Sequence, residues 1–142
     1  MTERQTIEPI TREELPARVS ALRAQDYRLV QIGATRLPEQ FEINYSFDQP
    51  GQLLTLRVQA PLADARVPSI SPSYWCAVLY ENELHDLFNI RVDGLAVDFE
   101  GKFYRTTTPF AFGSTKPPAA KPMPAPLARP ASAPALAPAG VQ

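Results

Sequence analysis

Gln40-Phe41-Glu42-Ile43-Asn44-Tyr45-Ser46-Phe47 alternates polar and apolar residues without a break. A period of two sends successive side chains to opposite faces of a strand, so Phe41, Ile43, Tyr45 and Phe47 face a core while Glu42, Asn44 and Ser46 face water. Asp48-Gln49-Pro50-Gly51 follows as a turn, with Pro50 fixing one backbone position and Gly51 freeing the next. Leu54, Leu56 and Val58 then resume the alternation. Upstream, Tyr27, Leu29, Gln31 and Gly33 point one way and Arg28, Val30, Ile32 and Ala34 the other. Three consecutive strands joined this tightly predict an antiparallel meander.

A meander with one apolar face needs a cover, and two helical patterns flank it. Thr11-Arg12-Glu13-Glu14 has the form of a capping box, followed by Leu15, Val19 and Leu22 at helical spacing, which predicts a helix reaching about Ala24. Pro16 requires that helix to kink or to start nearer Leu15. Ser71-Pro72 reads as a cap with proline in the first turn, opening a second helix from about Ser73 to Phe88. Asn89 stands where that helix must end, and Asn tolerates the left-handed conformation of a helix terminus. Leu95–Phe99 and Phe103–Tyr104 read as a short strand and its return, turning at Glu100-Gly101. The expected fold is α+β: an antiparallel-rich sheet of three to five strands with two helices packed on it.

Eight of the sixteen prolines lie between Lys116 and Gln142, interleaved with alanine, a composition that favours polyproline II or disorder over a packed element. The predicted organisation is one α+β domain over residues 5–113 and a disordered Pro/Ala-rich C-terminal tail over 114–142. A domain of roughly 110 residues buries about two thirds of its unfolded surface and needs no disulfide or metal to fold.

The net charge is -1, and Lys116, Lys121 and Arg129 lie in the tail, so subtracting these three cations leaves the body near -4. The remaining arginines are spread singly among acids, which argues against a nucleic-acid interface. From Glu81 to Glu100, six acids meet only Arg91. The sole cysteine, Cys76, rules out an internal disulfide and a thiolate cluster, and reads as a buried, inert thiol. The first residues lack the basic start and apolar stretch of a signal peptide, and no run approaches the ~18 apolar residues of a membrane span. The expected location is the cytoplasm.

Candidate chemistry concentrates in Trp75-Cys-Ala-Val-Leu-Tyr-Glu-Asn-Glu-Leu-His-Asp-Leu-Phe-Asn-Ile90. Glu81 and His85 are four apart on a helix, a spacing that two metal ligands can use, but His85 is the only histidine and a metal site needs three or four converging ligands. Cys76 and His85 are nine positions apart, about 13 Å along a helix, too far for a nucleophile and its base. The six glycines are isolated, so no phosphate loop forms. No catalytic pair and no metal site are therefore expected. Two readings remain: the acids form a solvated face over an aromatic core, or they bind a partner. Glu81, set among apolar neighbours, needs donors if it is buried.

Tyr80-Glu81-Asn82-Glu83-Leu84-His85-Asp86-Leu87-Phe88-Asn89-Ile90 resembles the Glu-Arg-Glu-x-x-Asp-x-Phe-Gly-Ile signature of the C-type subunits of NADH:quinone oxidoreductase. Glu81, Glu83, Asp86, Phe88 and Ile90 match, and Trp75 corresponds to an aromatic that often precedes the motif. Asn82 replaces the arginine and Asn89 the glycine. The ending Val92 to Phe110 is similar to the small D-type subunits of energy-converting nickel-iron hydrogenases, including the carbon monoxide-induced type. The resemblance spans about residues 10–112. It implies an accessory subunit without a cofactor of its own, packed beside the large catalytic subunit of a nickel-iron hydrogenase or its quinone oxidoreductase equivalent, at the cytoplasmic face of the inner membrane. On that reading Glu81, Glu83 and Asp86 pair with basic residues of the neighbour, Trp75, Phe88 and Ile90 fill its apolar contacts, and Arg105 pairs with an acid. The alternative function is a free-standing protein-binding module with an acidic interaction face.

Overall fold

The computed structural model describes residues 4–113; the tail expected over 114–142 lies outside the described residues. In chain order the elements are β1 (Arg4–Ile10), α1 (Leu15–Ala24), β2 (Arg28–Arg36), β3 (Gln40–Gln49), β4 (Gln52–Pro61), β5 (Arg66–Pro68), α2 (Ala77–Phe88) and β6 (Arg91–Asp93), with a short 3-10 turn at Leu62–Asp64. The fold is α+β.

The meander forms as its sequence requires. β2 pairs antiparallel with β3, and β3 with β4, Tyr45 lying opposite Leu56 and Ile43 opposite Val58. Only Pro50 and Gly51 separate β3 from β4, and Gly51 has a φ of 77°, the left-handed position that follows proline in a type II turn. β1 completes the sheet in the order β1-β4-β3-β2, running parallel to β4 from Arg4 opposite Gln52 to Ile10 opposite Val58. This strand is absent from the sequence reading. Its residues are mostly exposed and show no buried alternation, and its partner lies almost fifty positions away.

Phe41, Ile43, Tyr45 and Phe47 are buried with Leu56, Val58 and Ala60 of β4, and α1 adds Leu15, Val19 and Leu22 to the same core. Each such large side chain, fully withdrawn from water, contributes about 1.5–3 kcal/mol. The Thr11–Glu14 box closes reciprocally: the Thr11 N–H and hydroxyl donate to Glu14 Oε2 at 2.9 Å, and the Glu14 N–H donates to Thr11 Oγ1 at 3.3 Å. It forms one turn ahead of α1 rather than as its first turn, since Pro16 is tolerated only at the start of a helix. At the other end Asp26 has a φ of 61°, and the Asp26 and Tyr27 N–H groups donate to the Arg23 and Leu22 carbonyls, the two bonds of a Schellman cap.

Three expectations are corrected. α2 begins at Ala77, not Ser73: the Ser73 and Tyr74 N–H groups turn back onto the Ile70 carbonyl in a separate loop. Cys76 is exposed at the start of α2 rather than buried. Leu95–Phe99 and Phe103–Tyr104 do not pair; residues 94–113 run as turns and bends, while β6 pairs in parallel with β5, Val92 opposite Val67. Positive φ at Gly94, Glu100 and Gly101 breaks the extended conformation, and α2 side chains occupy the backbone groups a ladder would have used.

Candidate functional site: the polar face of α2

α2 buries Ala77, Val78 and Leu84 against the core, yet Glu81, Asn82 and Asp86 are buried too. A polar group withdrawn from water costs free energy unless it is hydrogen-bonded, so its partners define its task.

Glu81 is 1% exposed. Its Oε1 accepts from the Ile70 N–H at 2.7 Å and its Oε2 from the Ser69 hydroxyl at 2.8 Å. Ser69 also meets the Ser71 hydroxyl at 2.8 Å, so one carboxylate organises the loop that leads into α2. Burial pushes the Glu81 carboxyl above the ordinary carboxylate range, a rise opposed by the donors from Ile70, Ser69 and Ser71.

Asn82 is also 1% exposed. Its amide donates to the Val78 carbonyl within the helix at 2.8 Å and to the Val97 carbonyl at 2.9 Å, while its oxygen accepts from the Phe99 N–H at 3.1 Å. One turn on, Asp86 accepts from the Tyr104 N–H at 2.9 Å and meets His85 Nδ1 at 3.2 Å. The Tyr104 hydroxyl donates to Glu83, and that bond to a carboxylate raises the phenol's affinity for its proton. The Phe112 N–H donates to the Leu87 carbonyl at 2.8 Å. A Cβ at Gly113 would lie 2.6 Å from the Phe88 carbonyl oxygen, so only glycine allows this approach. Residues 94–113 thus form a strap tied along α2 from Asn82 to Phe88.

The helix ends as read. Asn89 has a φ of 58°, and the Ile90 N–H donates to the Leu84 carbonyl at 3.1 Å. That turn drives Ile90 into the core at 0% exposure.

The residues singled out by the sequence therefore separate into two sets. Glu81, Asp86 and Ile90 are buried, and both carboxylates are hydrogen-bonded within the chain. Glu83 and Phe88 are half-buried, Phe88 stacking edge-on to Phe41 and tilted against Phe112. Trp75, in the turn just ahead of α2, is 68% exposed, Leu79 in the first turn of α2 is 53% exposed, and Arg105 is exposed beside a cleft of about 840 Å³ lined by His85, Asp86, Tyr104 and Phe110. Asn82 and Tyr104 were missed as functional positions. Asn in the middle of an otherwise good helix was the available signal, since Asn favours helix interiors only when its amide has a specific task. Among the described residues no three His, Cys, Asp or Glu side chains converge to hold a metal ion, and no helix is long and apolar enough to cross a membrane.

A profile of the family described as "Respiratory-chain NADH dehydrogenase, 30 Kd subunit" matches residues 9–100, most of the described chain. The chain belongs to this family. Two solved structures share the fold. One is a chain of the membrane-bound sulfane sulfur reductase, an archaeal respiratory membrane complex, at 21% identity and a TM-score of 0.63, covering 69% of this chain and 62% of that one. The other is a trypsin-resistant fragment of Nqo5, at 23% identity and a TM-score of 0.58, covering 66% of this chain and 82% of the fragment. The chain thus spans less than two thirds of the reductase chain's length. No curated protein matches by sequence. Within the family motif, the structure places Glu81, Glu83 and Asp86 at internal ties, and Asn82, in the arginine's place, at the most enclosed of the ties to the strap.

Proposed function

We infer that this chain is a non-catalytic, peripheral-arm subunit of a membrane-bound, energy-converting oxidoreductase complex, of the hydrogenase or NADH:quinone oxidoreductase type. The family match over residues 9–100 carries the reading. The fold shared with a chain of an archaeal respiratory membrane complex is consistent with it. The chain takes no part in the redox chemistry; it assembles beside the large catalytic subunit at the cytoplasmic face of the membrane.

Trp75 at 68% exposure, Leu79 at 53% and Val30 at 40% supply the apolar contact near the start of α2. Large aromatic side chains of this kind dominate interface energetics when a partner covers them. The wider acidic-module reading loses ground, because Glu81 and Asp86 are turned inward and Glu83 is capped by Tyr104.

A tagged chain purified from gently solubilised native membranes should bring down the large catalytic subunit. Trp75→Ala should reduce that recovery while changing the isolated protein's stability by no more than about 0.5 kcal/mol, as for other exposed positions. Recovery of the wild-type chain free of any large oxidoreductase subunit would sink the assignment.

A further inference from the structure

The strap is hydrogen-bonded to α2 on one side and apolar on the other. Val97 at 37%, Phe99 at 40%, Phe110 at 36% and Phe112 at 54% are exposed, an unusual density for so short a segment. Its backbone also holds two non-glycine residues at positive φ, Glu100 at 54° and Phe110 at 51°. A bulky Phe in that region is strained, so the ties from α2 hold the segment in a shape it would not adopt alone.

The charges around this surface are almost all answered from within. Asp86 accepts from the Tyr104 N–H and meets His85 Nδ1, Glu83 accepts from the Tyr104 hydroxyl, and Asp98 from the Glu100 N–H; Lys102 lies 3.6 Å from Glu100. Arg105, exposed at the cleft beside Phe110, has no acceptor among the described residues. A guanidinium next to an apolar surface fits a carboxylate that arrives with the surface covering it.

We propose that residues 94–113 are a preformed docking surface for an apolar segment of a neighbouring subunit, one that carries an Asp or Glu to pair with Arg105. This rests on the assignment above and gives it a second contact, on the strap rather than at Trp75. The internal ties reduce what binding must spend on ordering the segment, which is the advantage of preorganisation.

The test replaces Phe112 by the photocrosslinking residue p-benzoylphenylalanine in the full-length chain within native membranes, with the same replacement at exposed Ile7 on edge strand β1 as control. The expected result is a crosslink from position 112 to another subunit of the complex, at a peptide containing Asp or Glu. Arg105→Glu should lower its yield about tenfold or more, and reversing the partner's carboxylate to Arg should restore it. Melting temperature of the isolated Arg105→Glu chain checks that the fold is intact. The proposal is overturned if position 112 captures only a second copy of this chain or its own residues 114–142, or if Arg105→Glu leaves the yield unchanged. Crosslinks to the complex from Ile7 but none from 112 reject the strap surface alone. A chain that crosslinks to nothing from either site and leaves the membranes free rejects the subunit assignment with it.

Discussion

From Phe41 to Phe47 every second side chain of β3 is buried and each residue pairs with β2 on one side or β4 on the other, whereas from Gly94 to Gly113 the chain has neither ladder nor continuous core. The sheet is held by burial of apolar area, spread over many contacts and insensitive to any single hydrogen bond. The strap is held by a handful of directed bonds from Asn82, Asp86 and Glu83, so it depends on individual side chains and can open without the sheet unfolding. The difference explains why Asn82, Glu83 and Asp86 occur in an apolar helix at all: their hydrogen bonds replace the regular structure that the strap lacks.

The largest expected effect breaks the sheet side of the comparison. Phe47→Ala removes a fully buried ring that packs 5.4 Å from Tyr74, and should destabilise the whole domain by about 3–5 kcal/mol. Urea unfolding followed by far-ultraviolet circular dichroism should show one cooperative transition shifted to lower denaturant. Retention of wild-type stability would mean the core is not where the structure puts it.

Asn82→Leu addresses the strap. It leaves the Val97 carbonyl and the Phe99 N–H without partners, a cost of about 1–3 kcal/mol expressed locally. Hydrogen exchange should accelerate at Phe99 and Tyr104 while amides of β3 and β4 keep their protection. Asn82→Arg, which restores the residue type of the family motif, should loosen the strap in the same way, since the site is closed to water. Uniform acceleration across the sheet as well would show that the two regions are one cooperative unit.

Glu81→Gln should have the smallest effect and sharpen the comparison through pH. Glutamine keeps an acceptor for the Ile70 N–H and turns its amide to the Ser69 oxygen, so the geometry persists. Burial raises the folded-state carboxyl above its ordinary value near 4.5, so the wild type is favoured by this group below that pH and loses the contribution as pH rises through the raised value. The melting temperature of Glu81→Gln relative to wild type should therefore climb as the pH rises above about 4.5. A flat difference, or one of opposite slope, contradicts a carboxylate destabilised by burial.

The meander, the Pro50-Gly51 turn, the existence of both helices and the left-handed exit at Asn89 were legible because each depends on residues within a few positions of one another. β1 was not, because a polar edge strand in parallel pairing has no local period and is chosen by β4. The irregular course of 94–113 differs from the expected strands for the same reason: Leu95, Val97 and Phe99 alternate well enough, but the Val97 carbonyl and the Phe99 N–H bond to the Asn82 side chain of α2.

The motif shows the same division. The sequence alone placed Glu81, Glu83 and Asp86 on one helix and excluded catalysis by a cysteine–histidine pair from their spacing, since helical geometry is fixed by chain position. It could not say which way each acid faces. A helix with apolar residues on more than one side has several ways to sit on a sheet, and only packing against Ser69, Ile70 and Tyr104 decided that Glu81 and Asp86 turn inward while Trp75 and Arg105 remain outside.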